Sequence, residues 1–485
     1  MGNLAFLDTA IIIIYLAAML LLGLYANRKQ QGMEDYYVAG RKQNSFTIAV
    51  LWLASWIGGA SIIGASDKAY SIGLSALWFV GSITIGLLIF GVSFPRLIKR
   101  LGDRLQNITY PDLIEARYGS VARVAATVTT ILAYIAYTAS QFAAMGAILC
   151  ALTGWSMELN FIVAAVVTIS YTALGGYLAV TYTDIAQAIL LLVGVVIIGI
   201  PVAFGLMQDA GTSFGDLPDS FFSMGNWDWL SLAALSLSTI FSFFTSMDSY
   251  TRCYAAKNER AAQRGALLAL VGVVAIAAAS TVLGLVSKLV LPDIPGGSNS
   301  LAELILRYFP TGIKGLVLVG IIAAIMDTGD ICILTASANV TRDIYQRFLK
   351  PQASEKQLVR LGMIASVGIG VLSLALAWYM DDIINILLLA FTINSAGLFL
   401  PTVLGLFWKR ASQKAAVGSM ITALVIVIAW FILGEAGAGG IFSLDPLWPG
   451  FIGSSIVFFS ISLFGSQSPR EREAFLSFQE KTRSA

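Results

Sequence analysis

Histidine is absent from the 485 residues, and Asp, Glu, Lys and Arg together make up only 12%. Without histidine the chain lacks the commonest metal ligand and the commonest proton shuttle, so any proton it moves must ride on carboxylates. A soluble protein carries about a quarter charged residues, and this chain falls far short of that. Cys150, Cys253 and Cys332 are its only cysteines, and their wide spacing gives neither a metal motif nor a disulfide framework. No Walker motif is present, which argues against an ATP-driven pump. No nucleophile–base pair or metal set suggests an enzyme, and a net charge of +2 suggests no nucleic-acid partner. Hydrophilic segments are short as well, the largest being 97–120, 208–229 and 291–312. The expected organisation is one membrane domain over 1–466 with a short cytoplasmic tail at 467–485.

What the chain has is hydrocarbon. Hydrophobic residues make up 57%, and the mean hydropathy is +0.80. Apolar runs long enough to cross a ~30 Å hydrocarbon core recur from end to end. Their period is not the alternation of a barrel strand, so the fold class is an all-α polytopic membrane protein. About thirteen spans of this kind are expected, near 8–27, 46–72, 75–97, 121–150, 158–178, 182–207, 230–253, 264–290, 313–341, 359–380, 383–408, 412–434 and 447–465. The first is too long for a signal peptide and has no basic segment before it.

Charge distribution then sets the expected orientation. The connections at 28–42, 96–123, 178–182, 252–264, 342–360, 409–414 and from 470 onward hold 26 of the 30 Lys and Arg residues. The loop at 208–229 has Asp209, Asp216, Asp219 and Asp228 and no basic residue. By the positive-inside rule the N-terminus lies outside and the C-terminus in the cytoplasm, in what should be a plasma membrane.

Two departures from a plain apolar helix draw attention. The second span, "LWLASWIGGASIIGASDKAYSIG", has Gly58–Gly59 near its middle. Unwound backbone at that depth is tolerated only where it lines a cavity, while close helix packing through small residues is the plainer reading. The seventh span has no Gly or Pro, but its cluster of Thr245, Ser246, Asp248 and Ser249 could allow a break. The ninth span reads "VGIIAAIMDTGDICILTA", with Asp327 and Asp330 in an otherwise oily run. A carboxylate at the centre of a membrane helix costs about 2.5–3.5 kcal/mol on insertion scales, so something must cancel its charge or remove it.

Five segments coincide with a known pattern: "EDYYVAGRKQ" (34–43), "GGYLAVTYTDIAQ" (175–187), "CYAAKNERAAQRGA" (253–266), "AAIMDTGDICILTASANVTRDIY" (323–345) and "GLFLPTVLGLFWKRASQKAAVGSM" (397–420). Together they resemble the sodium:solute symporter family, in order and over nearly the whole chain. "WIGG" (56–59) followed by an acid at 67 adds a short local similarity to its choline-transporting branch. The resemblance implies a leucine-transporter-like core of two inverted five-helix repeats, at about 46–207 and 230–408, with one extra N-terminal and two extra C-terminal helices.

It also implies a cation site between the broken second span and the ninth. Its ligands would be the backbones of Ala54, Ile57 and Ala324 and the side chains of Asp327 and Thr328. Carbonyls freed at a helix break suit a hard cation. The family usually has Ser at the position of Asp327. Asp184 and Asp330 correspond to a second cation or proton site, although Ile331 stands where the family has one of a hydroxyl pair. Ser55, Trp56, Gly58, Gly59 and Gln141 are the candidate solute-binding residues, and an interhelical hydrogen bond is an equal reading for Gln141.

Three carboxylates in one dry cleft cannot all be ionised and unpaired. Asp327 either binds sodium, carries a proton, or stays protonated as a structural donor. Lys68 reads as a snorkelling or ion-paired residue. Asp248 and Arg252 have the spacing of an i,i+4 pair, in the manner of a gate or cap, with substrate contact the alternative. Trp52, Trp56, Tyr70 and Trp78 could form an aromatic cage for an alkylammonium group, while packing or interfacial roles are commoner for membrane aromatics.

The expected function is a secondary active symporter, working as a monomer among membrane lipid without a cofactor. Inward sodium flow, or proton flow, would drive uptake of a small organic solute. Scarce cationic side chains in the core tilt that solute towards zwitterionic or cationic chemistry. A transmembrane sensor or regulatory subunit on the same fold is the alternative.

Overall fold

The computed structural model describes residues 4–27, 39–153, 155–294, 299–380, 382–437, 439–465, 467 and 469–483. Most of the expected 28–42 connection, and half of the motif at 34–43, lie outside the described residues. Nineteen α-helices carry the described chain: α1 Phe6–Asn27, α2 Ser45–Trp56, α3 Ala65–Ile72, α4 Leu77–Ser93, α5 Pro95–Leu105, α6 Tyr110–Tyr118, α7 Ser120–Thr153, α8 Met157–Leu191, α9 Ile200–Asp209, α10 Trp229–Phe243, α11 Met247–Ala255, α12 Glu259–Val290, α13 Ser300–Tyr308, α14 Ile313–Ala338, α15 Glu355–Tyr379, α16 Ile383–Phe407, α17 Gln413–Glu435, α18 Leu447–Phe464 and α19 Pro469–Arg483. Among the described residues, ten helical stretches are long and apolar enough to cross a membrane, and Phe6–Leu22, Ser45–Trp56 and Glu158–Ala173 are shorter apolar helices.

The spans differ sharply in what surrounds them. Through the most apolar stretch of Ile313–Leu349, 94% is buried within the protein, against 28% for Gln413–Glu435 and Leu447–Phe464. A helix apolar all round is one enclosed on every side, and α14 is that helix. It packs against α8, α7, α1, α15 and α2. Its aspartates therefore face protein and not lipid.

Two spans are interrupted. α2 stops at Trp56, Ile57 leaves helical geometry at φ −112° and ψ 86°, and a wide π-type turn over Ala60–Gly64 leads into α3. A Cβ on Gly58 would overlap Gln141 Oε1 and stand 2.8 Å from Thr328 Oγ1, and one on Gly59 would overlap Ala144. The glycine pair is thus there for close approach as well as for the break. The seventh expected span divides into α10 and α11, with Ser246 extended at φ −71° and ψ 130°. No glycine is needed because side chains satisfy the freed backbone: Tyr250 Oη donates to the Phe244 carbonyl (2.7 Å), and the Asp248 N–H donates to Tyr134 Oη (3.0 Å).

The connection expected at 178–182 falls earlier. Gly176 takes φ 57° inside the stretch Met157–Leu191 and divides it into two arms, since glycine is the residue that enters positive φ without steric cost. Past the bundle, α19 packs against α6 and α5. Its Phe475 and Phe478 are buried, and the Arg117 guanidinium lies 4.7 Å from the Phe475 ring centre. The segment expected as a tail is therefore a docked amphipathic helix.

Candidate functional site

The α2 break meets α14 at Thr328. Its hydroxyl lies 2.7 Å from the Ala54 carbonyl, 3.2 Å from the Ala324 carbonyl and 3.4 Å from Asp327 Oδ1. One hydroxyl has one hydrogen to give, so acceptors outnumber donors here. Asp327 Oδ2 is buried with no hydrogen-bond partner. Ile57, the first non-helical residue after α2, donates its N–H back to the Leu53 carbonyl. Four of the five expected cation-site residues, Ala54, Ala324, Asp327 and Thr328, thus gather around the Thr328 hydroxyl, and Ile57 lies at the break itself. Their oxygens are uncharged except for Asp327, the donor set a hard cation takes.

The other two acids lie within Coulombic reach of Asp327 and of each other, but each has its own neighbour. Asp330 Oδ2 accepts a hydrogen bond from Tyr171 Oη at 2.7 Å. Asp184 stands 3.7 Å from Arg252 Nη2, both fully buried. Arg252 also donates from Nε (2.9 Å) and Nη2 (2.6 Å) to Ser55 Oγ. Its guanidinium therefore reaches Asp184 at salt-bridge distance, not Asp248, the partner its helical spacing suggests. The reason is the direction α11 takes after the break, which turns Arg252 towards α2 and α8.

Asp248 instead accepts a hydrogen bond from Tyr134 Oη. Gln141 Oε1 takes the Gly59 N–H at 2.9 Å, and its amide nitrogen donates to Ser140 Oγ at 3.0 Å. Gln141 is thus the interhelical partner of the break. Trp56 stacks on Phe243 across the two breaks, with ring centres 3.5 Å apart and planes at 11°, and its ring lies 5.6 Å from Phe391.

The four-residue aromatic cage is not assembled. Trp52 packs on Phe90 and Phe243, whereas Tyr70 Oη donates to the Leu291 and Pro292 carbonyls and Trp78 Nε1 to Met224. Those bonds tie Tyr70 of α3 and Trp78 of α4 to loops at one end of the bundle. Lys68 lies there too, 5.7 Å from the Trp227 ring centre, and Asp67 caps α13 through Ser300 and Asn299.

At the opposite end an ionic knot joins three elements. Arg123 of α7 contacts Asp112 (2.6 Å) and Glu115 of α6, and Asp343 in the π-type extension of α14. Arg347 adds a 2.5 Å contact to Glu115, and Thr109 Oγ1 donates to Asp343 at 2.8 Å. Sequence reasoning missed this knot, because Asp343 and Arg347 lie more than two hundred residues from Arg123 and Glu115. It also missed the tyrosines, although Tyr134, Tyr137 and Gln141 recur at helical spacing along one face of α7.

An all-helical membrane bundle with two interrupted helices facing a buried carboxylate centre is a gradient-driven transporter rather than an enzyme. The model of the sodium:solute symporter family matches residues 36–423. The chain belongs to the sodium:solute symporter family. It is 26% identical to the sodium/pantothenate symporter of Escherichia coli strain K12, covering 95% of this chain and 97% of that one. It is 29% identical to the sodium/proline symporter of Haemophilus influenzae, over 94% of each. Among solved structures, a Na+-coupled sialic acid symporter in its substrate-bound outward-open state superposes with a TM-score of 0.77 at 22% identity, covering 95% of this chain and 98% of that one. Mhp1, a nucleobase-cation-symport-1 family transporter in a closed conformation, gives 0.55 at 16%, covering 91% and 98%.

Proposed function

We propose that the chain couples the inward flow of one sodium ion to uptake of a small organic solute by alternating access. The ion rests on the Ala54, Ile57 and Ala324 carbonyls and on the Asp327 and Thr328 side chains. The observation that carries this reading is the surplus of acceptor oxygens around the Thr328 hydroxyl, with an unpartnered carboxylate oxygen beside it. A cation seated there ties the α2 break to α14. Because it binds the tied state better, it shifts the population towards that state, and only such differential affinity can couple two flows.

One ion is the preferred number because Arg252 supplies Asp184 with a fixed positive charge and Tyr171 supplies Asp330 with a donor. Four carboxylates, Asp184, Asp248, Asp327 and Asp330, are buried near the breaks, and among the described residues Arg252 is the single cation between them. That excess favours a zwitterionic or cationic cargo, in keeping with the proline relative. The basic end with Arg123 faces the cytoplasm, the protein sits in the plasma membrane, and the monomer is the working unit. The core is the pair of inverted repeats at about 46–207 and 230–408, within one membrane domain over 1–466.

Proton coupling through Asp327 is the second reading, favoured by the same unpartnered oxygen. Uptake into proteoliposomes under imposed gradients separates the two. Accumulation driven by sodium and weakened by acid, through proton competition at Asp327, supports the first. Sodium-free accumulation driven by a pH gradient selects the second.

A further inference from the structure

Asp248, like Asp184 and Asp330, is a buried acid that the cation site does not use. It is the second residue of α11, immediately past the break, and 2% exposed. Tyr134 serves one carboxylate oxygen, while Oδ2 is buried with no hydrogen-bond partner. Among the described residues, no Lys or Arg nitrogen comes within salt-bridge distance of it, because Arg252 is turned to Asp184 and Ser55. The Trp56 indole N–H lies nearby without closing a hydrogen bond.

A second unpartnered acceptor stands at the same break. Asn394 of α16 donates its Nδ2 to Ser246 Oγ at 2.8 Å, which leaves its buried Oδ1 without a donor. Beside these oxygens runs an aromatic wall. Phe243 stacks on Trp56, Trp56 lies 5.6 Å from Phe391, and Phe391 meets the Tyr137 ring edge-on at 5.5 Å. Free acceptors, a carboxylate with no ion pair at contact distance and aromatic faces all favour a positively charged nitrogen. An anionic group brought to the same place would meet like charge.

We infer that the cargo carries a cationic nitrogen and that Asp248, with Asn394 and the Trp56–Phe391 wall, is the group that selects it. This deepens the symporter reading and rests on it. The nitrogen docks on Asp248 Oδ2 while sodium occupies the Asp327 oxygens, so each mobile cation meets a buried carboxylate oxygen without a hydrogen-bond partner. The acid at the second break is thus a specificity residue, not a gate or a helix cap.

The test is a thermal-shift titration of the purified full chain, with saturating sodium, against three probe sets. The first carries cationic nitrogen (proline, glycine betaine, choline), the second is anionic without it (pantothenate, tetrahydrofuran-2-carboxylate), and the third is neutral (glucose, uracil). Stabilisation should be confined to the first set. In Asp248→Asn that response should weaken by roughly 100-fold or more, as when one member of a buried charged pair is lost, while the sodium response persists. Asp248→Glu keeps the charge and should retain part of the response, which guards against an Asn variant that does not fold. Stabilisation by the second or third set alone, silence of the first set, or an unchanged response in Asp248→Asn overturns the proposal. A wild type that ignores sodium strikes at the coupling reading instead.

Discussion

Asp327→Ala separates two effects of one carboxylate. Without sodium the wild-type protein holds a buried charge with one oxygen 3.4 Å from a hydroxyl and the other unpartnered. Burying an ion costs several kcal/mol after relaxation, so the empty variant should be at least as stable as the empty wild type. With sodium the comparison reverses. Losing the charged partner of a buried pair costs about 3–5 kcal/mol, or roughly two to four orders of magnitude in affinity. At a sodium concentration about 100 times the wild-type dissociation constant, binding stabilises the wild type by about 2.7 kcal/mol. A variant binding about 100-fold more weakly gains only about 0.4 kcal/mol at that concentration. Thermal unfolding of both proteins across a sodium series, with potassium holding ionic strength constant, reads the difference directly. Uptake into proteoliposomes should lose its sodium dependence in parallel. A variant that keeps both the sodium-dependent shift and near-normal accumulation would refute the reasoning.

Three further outcomes follow from the geometry. Gly58→Ala drives a methyl into Gln141 Oε1 and towards Thr328 Oγ1; it should cost about 1–3 kcal/mol, as core overpacking does, and weaken sodium binding measured by the same titration. Arg252→Gln leaves Asp184 buried without its cation and should destabilise by about 3–5 kcal/mol, with Asp184→Asn on the same chain restoring most of the loss in a double-mutant cycle. Arg123→Gln undoes the knot to Asp112, Glu115 and Asp343. Amide hydrogen exchange over Tyr110–Tyr118 should then accelerate relative to α14, whereas an unchanged exchange pattern would show that the knot does not hold that end closed.

The membrane fold was legible because hydrocarbon demands it: a run of apolar residues long enough to span can satisfy its backbone only as a helix. The break at 57–59 was legible for a related reason, since two glycines in mid-span carry a visible cost. The second break was half legible. Its hydroxyl cluster showed in the sequence, but the groups that stabilise it, Tyr134 and Tyr250, act through contacts that local pattern does not encode. Asp327 and Asp330 drew notice as acids in an apolar run and Thr328 through the family resemblance, and the structure sets the Thr328 hydroxyl against the Ala54 carbonyl. Arg252 was misread because helical spacing assigns a partner within one helix, whereas after an interruption the neighbour across the interface wins. The docking of α19 escaped notice because two phenylalanines among charges give a weak amphipathic signal. The ionic knot escaped because Asp343 and Arg347 reach it from more than two hundred residues away.

The central claim is that a mobile cation sits on the Asp327 and Thr328 side chains between the α2 break and α14. Equilibrium binding of radioactive sodium to the purified chain, compared with Asp327→Ala and Thr328→Val, tests it most directly. The account expects saturable binding of one ion per chain in the wild type and its loss in both variants. Equal binding by all three proteins would contradict it.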